Sequence, residues 1–86
     1  VKTLAPRLAP MGITINNLAP GAIATARNKD ALADAEYRKA VESNIPLGYV
    51  GEAEDCAGAA LLLCSDAGRY ITGADFFVDG GLSLRF

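Results

Sequence analysis

Two short β-type segments constrain this chain most. Residues 12–19, Gly-Ile-Thr-Ile-Asn-Asn-Leu-Ala, are rich in β-branched and apolar side chains and stop at Pro20-Gly21. Residues 74–79, Ala-Asp-Phe-Phe-Val-Asp, read the same way, with Gly73 before them and Gly80-Gly81 after. The stretch between them has helical or loop character, so it acts as a long crossover. Such a crossover is expected to make the strands parallel and to run right-handed. The first strand is expected to be buried on both faces. Two parallel strands do not make a self-sufficient sheet, because parallel sheets have more members and are covered on both sides. The 86 residues therefore read as α/β, the last third of a doubly wound parallel-sheet domain, with two strands and about three helices.

The helices follow from spacing and caps. Val1, Leu4, Ala5 and Leu8 recur at helical intervals, with Thr3 as the expected N-cap and Pro6 tolerated in the first turn. Pro10 and Gly12 should end that helix. Residues 22–32 read as a loop that becomes partly helical. Asp34 is expected to cap a helix over 35–44, with Tyr37, Ala40, Val41 and Asn44 on one face. Its Asp34/Arg38 and Arg38/Glu42 spacings suit ion pairs of a few tenths of a kcal/mol each. Glu52, Glu54 and Asp55 crowd the start of a further helix, where negative charge favours the positive end of the dipole. Ala57, Ala60, Leu61 and Cys64 are expected on its buried face, widened by Leu62 and Leu63, with Gly68 as the C-terminal cap. The tail 82–86 is short and mostly apolar.

Composition removes several classes of function. With 51% hydrophobic and 21% charged residues, the chain has enough apolar surface to collapse. No run approaches the roughly 20 apolar residues of a transmembrane helix, and no signal peptide is visible, so no membrane partner is expected. The net charge is −2 with no basic patch, which argues against nucleic acid. There is no His, which removes imidazole acid–base chemistry and most zinc sites. Cys56 and Cys64 sit eight positions apart, about 12 Å along a helix, too far for a disulfide. They read as small core residues in a reducing, cytoplasmic setting. The chain opens on Val1 and its single Met is Met11, so processing or truncation is expected at this end.

Three motifs carry a resemblance. Ile15-Asn16-Asn17-Leu18-Ala19-Pro20-Gly21-Ala22-Ile23-Ala24-Thr25 resembles the V-N-x-x-x-P-G-x-[IV]-x-T segment of short-chain dehydrogenases/reductases. Gly51-Glu52-Ala53-Glu54-Asp55 resembles their G-x-P-E-[DE] helix opening. Tyr70-Ile71-Thr72-Gly73, followed by Val78-Asp79-Gly80-Gly81, resembles their closing strand. The likeness covers essentially the whole chain, and residues 41–52 look most like the glucose 1-dehydrogenase branch. It implies a Rossmann-type fold and NAD or NADP as cofactor. Pro20, Gly21, Ile23 and Thr25 would lie at the nicotinamide, with the backbone near Ile23 and the Thr25 hydroxyl on its carboxamide. A glycine there permits close approach, and a hydroxyl both donates and accepts. Residues 26–45 match the family's mobile substrate lid, with Ala22, Ala26, Arg27 and Asn28 nearest the substrate. Asn16 and Asp79-Gly80-Gly81 would be structural, and the last helix and strand would make a two-fold subunit contact. Ala26, Ala53 and Cys56 depart from the family pattern, as do Pro6 and Arg69, but none falls on the implied cofactor contacts.

The family's chemistry also needs a Tyr-x-x-x-Lys pair, in which the lysine lowers the tyrosine pKa for proton transfer. Four residues past Tyr37, Tyr49 and Tyr70 stand Val41, Ala53 and Ala74, so 1–86 contains no such pair. Nor does it contain a G-x-x-x-G-x-G phosphate loop. The chain is therefore expected to be a C-terminal fragment of one such domain, with no catalytic or metal residues of its own and inactive alone. The intact enzyme would convert an alcohol/carbonyl pair on a small molecule, of sugar or polyol type or of the 3-oxoacyl-carrier-protein reductase kind. The chain's partners would be itself, as a homo-oligomer, or a missing N-terminal portion. A free-standing non-catalytic remnant, serving as an oligomerising or binding module, is the alternative; an unrelated small α/β protein is a third.

Overall fold

A computed structural model describes residues 1–84; residues 85 and 86 of the expected tail lie outside it. Strand β1 (Asn17–Pro20) pairs in parallel with β2 (Asp75–Val78), Asn17 opposite Asp75 and Pro20 opposite Val78. Helices α1 (Ala5–Leu8), α2 (Lys29–Ala33), α3 (Ala35–Ser43) and α4 (Ala53–Leu63) complete the chain, with 3-10 turns at Ala9–Met11, Asp66–Gly68 and Leu82–Leu84. Among the described residues the fold is thus α/β with two parallel strands, as the crossover requires. No described helix is long and apolar enough to cross a membrane.

The strands are shorter than their apolar runs because side chains take over the pairing. Ahead of β1, the Ile15 N–H donates to Thr72 Oγ1 at 3.1 Å and Ile15 O accepts from the Gly73 N–H at 2.8 Å. Asn16 bridges the same two segments: its Nδ2 donates to Ile71 O and its Oδ1 accepts from the Ala74 N–H, both at 3.0 Å. Pro20 is the last paired residue of β1, and the next amide, Gly21 N–H, reaches Val78 O at 3.0 Å. The expected burial on both faces is not met. Asn17 and Pro20 are exposed and Leu18 and Ala19 only half-buried, since a two-stranded sheet leaves an uncovered face.

Of the expected helix caps one forms and two do not, and the expected faces shift. Asp34 caps α3 as expected, accepting from the N–H groups of Glu36 and Tyr37 at 3.0 and 3.4 Å. That use removes Asp34 from the anticipated pair with Arg38, whose Nε lies 3.4 Å from Glu42 instead. On α3 only Val41 packs against the core, while Tyr37 is half exposed. The buried seam of α4 is shifted by one residue from the expected one: Cys56, Ala59, Ala60 and Leu63 are half-buried, whereas Ala57, Leu61 and Cys64 are exposed. An Ala/Gly/Leu-rich helix offers two apolar seams, and the sheet selects one. Gly68 is not the cap of α4, which is Cys64; it is buried in the following 3-10 turn, where a Cβ would collide with the Leu62 carbonyl. Helix α1 starts after Leu4 with no side-chain cap, and Thr3 lies outside it. Pro6 stands in its first turn, and Gly12, at φ +74°, closes the turn that Pro10 begins. Both cysteines are free thiols.

The core is small and displaced. Leu32, Ile45 and Val50 form one buried cluster, with Ala22, Ala24, Val41 and Leu82 packed on it. Among the described residues, only these three and Ala5 are buried apolar side chains. The cluster therefore lies beneath the loops that leave the carboxyl ends of the strands. The chain is elongated, 50 × 27 × 19 Å, with a radius of gyration of 15.8 Å where a compact chain of this length would have about 12 Å.

Candidate functional site

The segment after β1 is shaped by two glycines and one asparagine. Gly21 passes so close to Asp79 that an added Cβ would lie 2.5 Å from the Asp79 Cβ. Beyond it, Ile23 forms a parallel bridge with Gly51: the Ala24 N–H donates to Gly51 O at 2.8 Å and the Gly51 N–H to Ala22 O at 3.0 Å. A Cβ on Gly51 would meet the end of the Ile23 side chain at 2.9 Å, which a rotamer change would relieve. Asn28 then folds the loop back. Its Oδ1 accepts from the Thr25 N–H at 2.7 Å and from the Thr25 hydroxyl at 3.3 Å, and its Nδ2 donates to Ile23 O at 2.8 Å. Each of these bonds is worth about 1 kcal/mol net, and together they define one loop conformation.

Two clefts flank this loop. The first, about 160 Å³, is lined by Ala22 and Ile23 together with Leu47, Tyr49, Gly51, Asp55 and the β2 exit Val78-Asp79-Gly80. Both of its carboxylates are already engaged. Asp55 Oδ2 accepts from the Glu52 N–H at 2.7 Å. Asp79 accepts from the Gly81 and Ser83 N–H groups, each at 2.9 Å. Hydrogen bonding from Ser83, side chain first and then backbone, and from the Gly81 backbone holds the Asp79 carboxyl below its ordinary pKa. The second cleft lies on the other side of the loop, lined by Ala24, Thr25, Lys29, Leu32, Ala33 and Arg38.

The anticipated site residues thus divide. Pro20 and Gly21 stand at the carboxyl end of β1, where ligands of open α/β sheets bind. Ile23 faces one cleft and Thr25 the other, with Ala22 beside Ile23. Ala26 and Arg27 are exposed and line neither cleft, while the Asn28 side chain is spent on the loop itself. Sequence reasoning missed Leu47, Tyr49, Lys29, Leu32 and Arg38 as lining residues. The apolar run 45–50 that holds Leu47 and Tyr49 was the available signal for the first cleft; nothing in spacing alone marks the others.

A nicotinamide carboxamide asks for one donor and one acceptor. Among the described residues the Ile23 N–H makes no hydrogen bond, and the Thr25 hydroxyl directs its proton to Asn28, leaving its oxygen free to accept. The pair matches that demand.

Comparison with known proteins gives this geometry its context. A family described as Enoyl-(Acyl carrier protein) reductase matches residues 1–83. The chain is 52% identical over 83 residues to 3beta-hydroxysteroid dehydrogenase 1 of Eggerthella lenta, covering 96% of this chain and 32% of that protein. It is 48% identical over 85 residues to the L-rhamnose 1-dehydrogenase (NAD(P)(+)) of Azotobacter vinelandii, covering 99% and 33%. A glucose 1-dehydrogenase of Gluconobacter oxydans is 45% identical over 84 residues, covering 98% and 32%. The structure follows that of a gluconate 5-dehydrogenase from Burkholderia cenocepacia in complex with NADP and tartrate, with a TM-score of 0.88 and 34% identity over 99% of this chain and 33% of the other. The chain spans about a third of the length of each of these relatives. With its three motifs in order and its strands and loops arranged as in these Rossmann-fold enzymes, the chain belongs to the short-chain dehydrogenase/reductase family.

Proposed function

We propose that this chain is the C-terminal, nicotinamide-side portion of an NAD(P)-dependent dehydrogenase acting on the alcohol/carbonyl pair of a small molecule, of sugar or polyol type. The observation that carries the reading is an unbonded Ile23 N–H two residues from the Thr25 hydroxyl, on a loop that Asn28 ties together beyond the carboxyl end of β1. A bound nicotinamide supplies the hydride acceptor or donor. Pro20 and Gly21 would let the backbone approach it, the Ile23 N–H would donate to its carboxamide oxygen, and Thr25 Oγ1 would accept from its amide. These contacts orient the ring; they move no proton. The proton donor, a Tyr-x-x-x-Lys pair, and the glycine-rich phosphate loop are not within 1–86, so these residues alone are expected to catalyse nothing. Helices α2 and α3 serve as the lid over the substrate, with Ala22, Ala26, Arg27 and Asn28 nearest it.

Self-association belongs to the same reading. The accessible surface is 6327 Å², against about 4,800 Å² for a compact monomer of this mass. The excess of roughly 1,500 Å² is of the size that a stable protein interface covers.

The coding sequence immediately upstream of Val1 tests the proposal. A Tyr-x-x-x-Lys pair and a glycine-rich loop are expected in frame. An in-frame start codon or stop there would overturn it in favour of a free-standing module.

A further inference from the structure

We propose that the cleft between Thr25 and Arg38 is an anion subsite, taking the carboxylate or phosphate group of the molecule on which the intact enzyme acts. The inference rests on the dehydrogenase reading above and narrows its substrate class to acidic molecules.

The two clefts beside the loop differ in charge. No cation lines the first, and its two carboxylates are spent on backbone N–H groups. The second has about 400 Å³ of space, within the range of small-ligand sites, and is lined by Lys29 and Arg38 with no carboxylate. The acids of the surrounding segment are accounted for elsewhere. Asp34 caps α3, Glu42 lies against Arg38 Nε, and Asp30 and Glu36 are exposed and outside the cleft. Lys29 takes part in no ion pair among the described residues. Arg38 spends one of its five N–H donors on Glu42, which leaves the terminal NH2 groups for a planar oxyanion.

The rest of the cleft suits such a ligand. Its walls are Ala24, Leu32 and Ala33, and Leu32 belongs to the buried core, so a charged pair formed there is less screened than on an open surface. Thr25 also lines it, with its hydroxyl proton directed to Asn28, so the donors to an anion come from Lys29 and Arg38. The spacing between Thr25 and Lys29 is set by Asn28, the residue between α2 and the loop, whose side chain binds the backbone of both Ile23 and Thr25. The cleft also opens on the side of the loop that carries Thr25. A substrate whose anionic end sits between Lys29 and Arg38 would therefore extend its body past the hydroxyl expected at the nicotinamide.

The test is a titration of the 15N-labelled 86-residue chain, read by amide chemical shifts, at constant ionic strength. The probes are inorganic phosphate, D-gluconate, and D-glucose as the neutral control. Saturable shifts at Thr25, Lys29 and Ala33 are expected with the anions and not with glucose; the tighter of the two anions identifies the group as phosphate or carboxylate. Lys29→Gln should weaken the tighter anion about tenfold, the loss of one charge-assisted hydrogen bond. Lys39→Gln, on α3 but outside the cleft, should leave it unchanged. Equal shifts with glucose, non-saturating shifts, no shift at all, or an unaltered affinity in Lys29→Gln would each overturn the inference. Its failure is separable from that of the dehydrogenase reading. If the catalytic pair is encoded upstream but Lys29 does not matter, only the substrate class falls. If phosphate binds through Lys29 and no pair is encoded, the cleft is an anion site of a non-catalytic module.

Discussion

The two ends of the strands and the outer face of α4 are built from one chain to different standards. At the strand ends, polar groups are matched within 86 residues. Asn16, Thr72, Asn28, Asp55 and Asp79 all find backbone partners, and no buried side-chain polar atom among the described residues lacks one. Across α4 and β2 the apolar groups are not matched. Leu61 is 71% exposed, Phe77 58%, and Tyr70 fully exposed. Hydrogen bonds of this kind join residues that the two strands bring side by side, so a short chain can complete them. Burial of a sheet face requires whole additional elements, which this chain does not contain. Of the two hydrogen-bonded ends, the carboxyl end leads into the Pro20–Thr25 loop.

The contrast can be broken from the hydrogen-bonded side first. Gly21→Ala should have the largest effect, because its Cβ would come within 2.8 Å of the Asp79 backbone and the strand ends would have to part. A loss of about 3 kcal/mol in urea denaturation is expected; a loss under about 0.5 kcal/mol would show that the strand ends yield freely. Asn16→Ala removes two hydrogen bonds between distant segments, and a loss of about 2 kcal/mol is expected. If it denatures like the parent, the bridge contributes nothing.

Asp79 sharpens the comparison through pH. Its carboxyl titrates lower in the folded chain than the usual value near 4, because the charged form accepts hydrogen bonds from Ser83 and Gly81. The stability it contributes is therefore complete above that unfolded value and is lost as pH falls through the lowered folded one. Urea midpoints measured from pH 6 down to pH 2 should fall less steeply for Asp79→Asn than for the parent. Identical slopes would mean that those bonds do not favour the ionised form.

The smallest effect is expected on the bare face. Leu61→Ser should change stability by no more than about 0.5 kcal/mol in conditions where the chain is dispersed, since the side chain meets water in either case. A larger loss, measured by the same denaturation, would mean that α4 is covered within the chain itself.

What could be read from the sequence divides along the same line. Asp34 as a cap, Pro6 in a first turn and the parallel pairing were legible because each depends on local chemistry or on the length of a connection. The seam of α4 was not, because Ala57, Ala60, Leu61 and Cys64 are as apolar as Cys56, Ala59, Ala60 and Leu63, and only a packing partner distinguishes them. The anticipated burial of β1 failed for the complementary reason: its composition suits a covered strand, and the cover is not in these residues. At the site, the family resemblance pointed to Pro20, Gly21, Ile23 and Thr25. It did not show that Asn28 would be consumed in holding the loop, nor that Lys29 and Arg38, nine positions apart, would line one cleft.

The central claim is that the buried side-chain polar atoms of the described residues are all hydrogen-bonded while the apolar burial is incomplete. The molar mass of the purified 86-residue chain in solution, by light scattering across a concentration series, tests it most directly. The account predicts a mass that stays above the 8.9 kDa of one chain and rises with concentration. A constant 8.9 kDa, accompanied by a single cooperative thermal transition, would contradict it.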